Sequence, residues 1–143
     1  LNVLQLKDVQ VGVSICYESV FPRLSLQAAR TGANLLVVMS NDAWFGQGAG
    51  AEQHFQMGRL RAIETRRFLL RAGNDGVSAA VDPWGRVQFR APRGERGAYR
   101  VSFDVSSAAT LYVQYGEWVS WVSGGVLALL TVLVVRRSKH APS

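Results

Sequence analysis

Hydrophobic positions over residues 1–110 fall into short runs that switch between strand and helix periods. Val9 to Cys16 (VQVGVSIC) is rich in apolar and β-branched residues, the pattern of a buried strand that ends at the cysteine. Ser19 to Arg30 carries Leu24, Leu26, Ala28 and Ala29, and Thr31-Gly32 supplies a helix stop before a second apolar strand, Asn34 to Ser40 (NLLVVMS). Together these predict a β-α-β unit. A loop rich in glycine and small residues, Asn41 to Ala51, exposes Trp44 and Phe45. It leads into a helix expected over Glu52 to Arg71, with Phe55, Met57, Leu60, Ile63 and Leu70 inward and its arginines toward water. After the turn signal Gly73-Asn74-Asp75-Gly76, the stretches Val77 to Val81, Arg86 to Arg90 and Tyr99 to Val105 read as antiparallel strands. The expected class is α/β.

The last quarter follows another pattern. Trp118 to Val135 holds eighteen consecutive residues without a charge, a helix of roughly 27 Å, close to the hydrocarbon thickness of a bilayer. Tyr112, Tyr115, Trp118 and Trp121 crowd its start like an interfacial belt, and Arg136, Arg137 and Lys139 follow it. Basic residues stay cytoplasmic, so the pattern predicts a transmembrane helix with a cytoplasmic C-terminus and residues before Glu117 on the outer face. The competing reading, a buried core helix, calls for a polar stripe that this run lacks.

Composition narrows the function classes. With 48% hydrophobic and 18% charged residues in 143, the chain has the apolar surface a core needs, which excludes a disordered tail. The net charge of +6 is spread along the chain, and three of its sixteen basic residues sit in the last eight positions. That is not the clustered stripe of a nucleic-acid surface, and no nucleic-acid partner is expected. A single cysteine, Cys16, excludes an internal disulfide and a multi-cysteine zinc site. Leu1 to Gln10 has no initiator Met and no signal-peptide pattern, and reads as the interior of a domain.

Two segments carry candidate chemistry. A cysteine between a strand and a helix N-terminus sits where the dipole and backbone N–H groups favour a thiolate and hold an oxyanion; taken alone, a single cysteine reads first as a small buried hydrophobe. Glu18, two residues on, is by itself a first-turn carboxylate. In Ser40-Asn41-Asp42-Ala43-Trp44-Phe45-Gly46, a strand ends in polar residues that can orient a site and then throws out two aromatics. That loop is either a lid that meets lipid chains or a loop packed on its own domain. His54 lacks acidic or Cys partners at metal spacing and reads as a packing or hydrogen-bonding residue, so no metal and no cofactor are expected. Glu64, among Arg59, Arg61, Arg66 and Arg67, reads as a helix-face ion-pair partner or a group orienting the site. The arginines read as a solvated face, one that can meet anionic headgroups.

The runs GVSICYESVFP, ANLLVVMSNDAWFG and HFQMGRLRAIETRRFLLRAGNDGVSAAVDPWG together resemble the C-terminal part of the apolipoprotein N-acyltransferases, the membrane-anchored branch of the nitrilase (carbon–nitrogen hydrolase) superfamily. The resemblance covers nearly the whole chain. It implies the C-terminal part of an α-β-β-α sandwich over residues 1–112, aromatics and a transmembrane helix over 113–137, and a cytoplasmic basic tail over 138–143. It also implies a bacterial inner-membrane protein whose catalytic domain is periplasmic, with phospholipid as acyl donor and an apolipoprotein as acceptor. In that reading Cys16 is the nucleophile, Tyr17 offers a backbone oxyanion donor and Glu18 braces the loop. Trp44, Phe45 and Gly46 belong to the lid, and Asn41, Asp42, His54 and Glu64 support the site.

The family pairs its cysteine with a Glu base and an oxyanion-stabilising Lys, both preceding the cysteine strand. Here only Lys7 precedes it, in the wrong segment, so the expectation is a piece of a longer enzyme that is inactive alone. Two other readings stand beside it: a tethered amidase or nitrilase using water as acceptor, and a non-catalytic membrane-anchored module with a structural Cys16.

Overall fold

A computed structural model describes residues 3–139. The strands are β1 (Val3–Leu6), β2 (Val9–Ile15), β3 (Leu35–Asn41), β4 (Phe68–Asn74), β5 (Ala79–Val81) and β6 (Val87–Arg90). The helices are α1 (Pro22–Arg30), α2 (Gly50–Thr65), α3 (Leu111–Tyr115) and α4 (Trp118–Lys139), with 3-10 turns at Cys16–Val20 and Ala43–Phe45. The strands form one sheet in sequence order. β2, β3 and β4 run parallel at its centre, and β1, β5 and β6 attach antiparallel at the edges.

The β2-α1-β3-α2-β4 path puts both crossover helices on one face, as right-handed connections require. Beneath them lies a core of Ala28, Leu36, Val38, Phe55, Ala62, Leu69 and Val81. Gly12 permits the close approach of α1, since a Cβ there would stand 2.8 Å from the Cβ of Ala28. On the other face Val11, Leu35, Phe68 and Ala80 are buried beneath the half-buried Val37, Leu70, Phe89 and Val101.

Several expectations need correction. The helix expected to reach Arg71 stops at Thr65, because Arg66 turns into the left-handed region (φ 53°), and residues 68–74 form the central strand β4. Phe68, Leu69 and Leu70 satisfy a helical or a buried-strand pattern equally, and the cap falls on arginine instead of the usual glycine. Tyr99 to Val105 is not a strand. It is a strap over the second sheet face, tied by Ser106 N–H to Asn34 O and by the Phe103 ring beside Phe68.

The arginines are not a solvated face: Arg61, Arg67 and Arg71 are all buried. Helix α2 buries Ala51, His54, Phe55, Gly58, Arg61, Ala62 and Thr65, and leaves Met57 and Leu60 exposed at 43% and 49%. Polar residues occupy its inner stripe because they are paired there.

α3 packs Val113 on Leu26 and Ala29 of α1, and Arg30 donates to the carbonyls of Val113 and Gln114. Beyond it, every described side chain of α4 is exposed. Among the described residues no helix is long and apolar enough to cross a membrane. The uncharged run counted on the sequence passes through Val134, whose side chain lies outside the described residues, as do those of Arg137 and Lys139. The tail at 140–143 lies outside them as well.

Candidate active site

Cys16 stands where β2 breaks into its 3-10 turn, in the left-handed region at φ 50°. For a residue with a Cβ that conformation costs roughly 1–2 kcal/mol and persists only where neighbours enforce it. The neighbours are present. The Glu18 carboxylate accepts from Ile15 N–H at 2.8 Å, closing the turn onto the strand. Ser19 Oγ donates to the Cys16 carbonyl at 2.9 Å, and His54 Nε2 lies 3.2 Å from that same oxygen and 3.3 Å from Ser19 Oγ. Among the described residues the half-buried thiol makes one long contact, 4.0 Å, to Asn41 O at the end of β3.

A buried polar group lies behind that carbonyl. Asp42, fully buried, accepts from Ser40 Oγ at 2.6 Å, His54 Nδ1 at 2.9 Å and Arg71 Nη2 at 2.8 Å. Burial alone would raise the Asp42 carboxyl. Hydrogen bonds from Ser40, Arg71 and His54, with the Arg71 charge, outweigh it and hold the group below the usual carboxylate range. Arg71 reaches this place because β4 pairs it with Val38 on β3, facing the helices. Its Nη2 is also 3.1 Å from His54 Nδ1. Backbone crowds the carboxylate from the remaining side, since a Cβ on Gly76 would come within 2.2 Å of Asp42 Oδ2.

The aromatic loop lies over this group. Trp44 is 75% exposed and stacks on Phe45 at 5.4 Å. Phe45 lies 5.7 Å from the His54 ring and Tyr17 6.0 Å from it, so the imidazole sits between the aromatic loop and the residue after the cysteine. Gly50 makes room for Phe45, as a Cβ there would stand 2.6 Å from its ring. Gly46 ends the turn at φ 60°, ψ −150°, a conformation reserved for glycine, and its carbonyl accepts from Arg93 at 2.7 Å. Asn41 faces the same end, its side-chain oxygen accepting from Asn74 at 3.2 Å.

Of the residues expected at the site, Cys16, Tyr17, Glu18, Asn41, Asp42, Trp44, Phe45, Gly46 and His54 gather at the C-terminal end of β2 and β3. Glu64 does not. It lies ten residues beyond His54 on α2, about 15 Å along the axis. There it accepts from Arg61 at 2.8 Å, and burial raises its carboxyl above the ordinary value against the pull of Arg61. Its route to the cysteine turn is indirect, because Arg61 Nη1 donates to Val20 O at 3.0 Å, where that turn ends.

Ser40 belongs to the segment the sequence singles out, whereas Ser19, Arg61 and Arg71 are site residues that the sequence reading does not mark. A signal did exist: His54, Gly58, Arg61 and Thr65 recur at helical spacing beside Ala51, Phe55 and Ala62, marking one polar stripe within the buried face. A cavity of about 750 Å³ opens on the other sheet face, among Leu70, Phe89, Tyr99 and Val101; Cys16 does not line it, and it is not this site. Among the described residues no cluster of His, Cys, Asp and Glu is suited to hold a metal.

The family model for carbon–nitrogen hydrolases matches residues 1–112. The chain belongs to the carbon–nitrogen hydrolase family, the nitrilase superfamily of enzymes. Among curated relatives, the chain is 38% identical over 131 residues to the apolipoprotein N-acyltransferase of Pseudomonas aeruginosa, a match covering 92% of this chain and 25% of that protein. With the apolipoprotein N-acyltransferase of Thermotoga maritima it shares 37% over 126 residues, 88% of this chain and 25% of the other. The chain thus spans about a quarter of the length of these relatives.

Among solved structures, an amidase from Nesterenkonia sp. superposes with a TM-score of 0.57 at 27% identity, covering 67% of this chain and 38% of the amidase. Nit3 of Saccharomyces cerevisiae, a nitrilase-superfamily member, gives 0.53 at 28% identity, over 61% and 35%. One structure of the Nesterenkonia amidase carries the acetamide moiety of fluoroacetamide covalently on its active-site cysteine.

Proposed function

We propose that this carbon–nitrogen hydrolase segment supplies the nucleophile and lid of an apolipoprotein N-acyltransferase. The observation that carries the reading is Cys16 itself: a thiol held in a left-handed turn at a strand end, beneath a loop whose tryptophan is 75% exposed. In the first step the Cys16 thiolate attacks a phospholipid ester carbonyl. The C–O bond breaks, lysophospholipid leaves as its alkoxide and takes up the proton the thiol gave to the base, and the acyl chain remains as a thioester. In the second, the N-terminal amine of a diacylglyceryl-modified apolipoprotein attacks that thioester. An amide forms, the thiolate is released, and the amine proton passes to the base.

The Tyr17 backbone N–H serves as an oxyanion donor, Glu18 holds the turn, and Trp44, Phe45 and Gly46 cover the acyl chain. Residues 1–15 hold Lys7 and no Glu. Lys7 sits in the β1–β2 turn, about 20 Å along the strand from Cys16. The general base and the oxyanion cation therefore come from a segment other than this one, and residues 1–143 alone form no thioester.

Helix α4 is the membrane anchor in this reading, entering at Trp118 and Trp121 and leaving at Arg136, Arg137 and Lys139, with the catalytic part on the periplasmic side of a bacterial inner membrane. Apolar side chains surround it on all sides and are exposed along its described length, which suits lipid and not water.

The test is to express the full-length protein to which this segment belongs in membranes, supply phospholipid labelled in its acyl chain, and look for label on Cys16 that hydroxylamine releases. Labelling abolished by Cys16→Ser supports the reading; a wild-type protein that never takes label refutes it. A second reading rests on the amidase neighbours: the same thioester resolved by water after attack on a small amide. Turnover of soluble amides with no labelling from lipid would favour it.

A further inference from the structure

The strained carbonyl at Cys16 has two donors aimed at it. Ser19 Oγ donates from three residues on, and His54 Nε2 approaches from α2 at 3.2 Å. The other nitrogen of that imidazole lies 2.9 Å from Asp42, whose second oxygen is held by Arg71 at 2.8 Å. All three side chains are buried, and the ring is flanked by Phe45 and Tyr17. A histidine near a cysteine invites reading as its base, but here both ring nitrogens are already engaged. The thiol meets Asn41 O and not the imidazole.

We propose that His54 is a positioning residue whose ring donates from both nitrogens, Nδ1–H to Asp42 and Nε2–H to the Cys16 carbonyl; it clamps that carbonyl and so holds the nucleophile in its left-handed conformation, with Asp42, itself held by Arg71, fixing the ring and Ser19 as second donor. The inference rests on Cys16 being the nucleophile, and it adds how the thiol is held there. What His54 supplies is one hydrogen bond in one place. A side chain that donates to that carbonyl therefore replaces it, and one that fills the space without donating does not.

Cys16 is the only cysteine in the chain, so its alkylation by iodoacetamide reads the nucleophile without needing acyl transfer. The protein is compared in detergent as wild type, His54→Gln and His54→Leu. With the clamp, His54→Leu slows alkylation on the order of tenfold or more, as misplacement of a reacting group does. His54→Gln stays within about threefold of wild type, because its carboxamide N–H reaches the same carbonyl. Hydrogen exchange across residues 15–19 rises in the Leu variant and not in the Gln variant. Ser19→Ala, which removes the other donor and leaves the ring in place, slows alkylation in the same direction and serves where His54→Leu does not fold.

Equal slowing by Gln and Leu overturns the clamp, since it assigns His54 a charge or proton-transfer role. Wild-type rates in both His54→Leu and Ser19→Ala overturn it too, while leaving Cys16 as nucleophile. A wild-type Cys16 that iodoacetamide never modifies overturns the clamp together with the functional reading beneath it.

Discussion

Arg71 Nη2 donates to Asp42 Oδ2 at 2.8 Å with both side chains shielded from solvent, joining the central strand β4 to the end of its neighbour β3 directly behind the cysteine turn. Breaking one partner of a buried pair leaves the other charge uncompensated, which costs far more than the pair contributes net. Arg71→Met is therefore expected to destabilise the protein by about 3–5 kcal/mol, read from denaturant unfolding followed by tryptophan fluorescence. A loss below about 1 kcal/mol would show that Ser40 and His54 satisfy Asp42 without the guanidinium.

The same carboxylate sets a pH dependence. Its folded pKa lies below the ordinary aspartate value of 3.8, so its contribution is complete above 3.8 and is lost as pH falls through the lower folded value. Asp82 and Glu52 are lowered too and contribute with the same sign. Asp42→Asn is thus expected to flatten the acid limb of stability against pH without abolishing it. Unfolding free energies measured on both sides of pH 3.8 check this; parallel acid limbs for variant and wild type would contradict it.

Gly76 has no room for a methyl group, since the Cβ of an alanine would meet Asp42 Oδ2 at 2.2 Å and its Cβ at 2.6 Å. Gly76→Ala is expected to cost about 1–3 kcal/mol by overpacking and to slow Cys16 alkylation by displacing the carboxylate that holds His54. Crystallography or chemical-shift mapping of the variant would locate the displacement at Asp42.

Cys16 provides a direct measure of backbone strain. Alanine keeps the Cβ and glycine removes it, so at φ 50° Cys16→Gly is expected to be more stable than Cys16→Ala by about 1 kcal/mol, despite the greater freedom of glycine in the unfolded chain. The reverse order in thermal melts would mean that the turn is unstrained.

The aromatic loop is expected to depend on Gly50. A methyl group there collides with the Phe45 ring at 2.6 Å, so Gly50→Ala should free residues 44–50 and speed proteolytic cleavage within them. Global stability should change by about 1 kcal/mol or less, the loop being largely exposed. Unchanged cleavage would place Phe45 elsewhere.

By itself the sequence determined the elements whose signal is local. The strand ending at Cys16, the helix after it, the strand ending at Ser40-Asn41 and the glycine-flanked aromatic turn are each written in a few consecutive residues; both strands lie within a residue of their expected bounds, and the helix begins at Pro22 instead of Ser19 because Cys16–Val20 winds as a 3-10 turn. The gathering of Cys16, Asp42 and Trp44 follows from that order, because parallel strands joined by one helix bring their C-terminal ends to one edge of a sheet.

Only the tertiary structure decided the rest. Whether Phe68 to Ala72 continued α2 or began a strand depended on a left-handed arginine that no propensity marks and on an empty place beside β3. The inward face of α2 is hidden for the same reason: apolarity points to Met57 and Leu60, whereas the fold buries His54 and Arg61. A buried charge is tolerable only when its partners arrive from other segments, here Asp42 and Ser40 from the end of β3, Arg71 from β4 and Val20 from the cysteine turn. Such partners are separated by tens of residues, so the folded chain alone could show that its polar helix stripe is the inside.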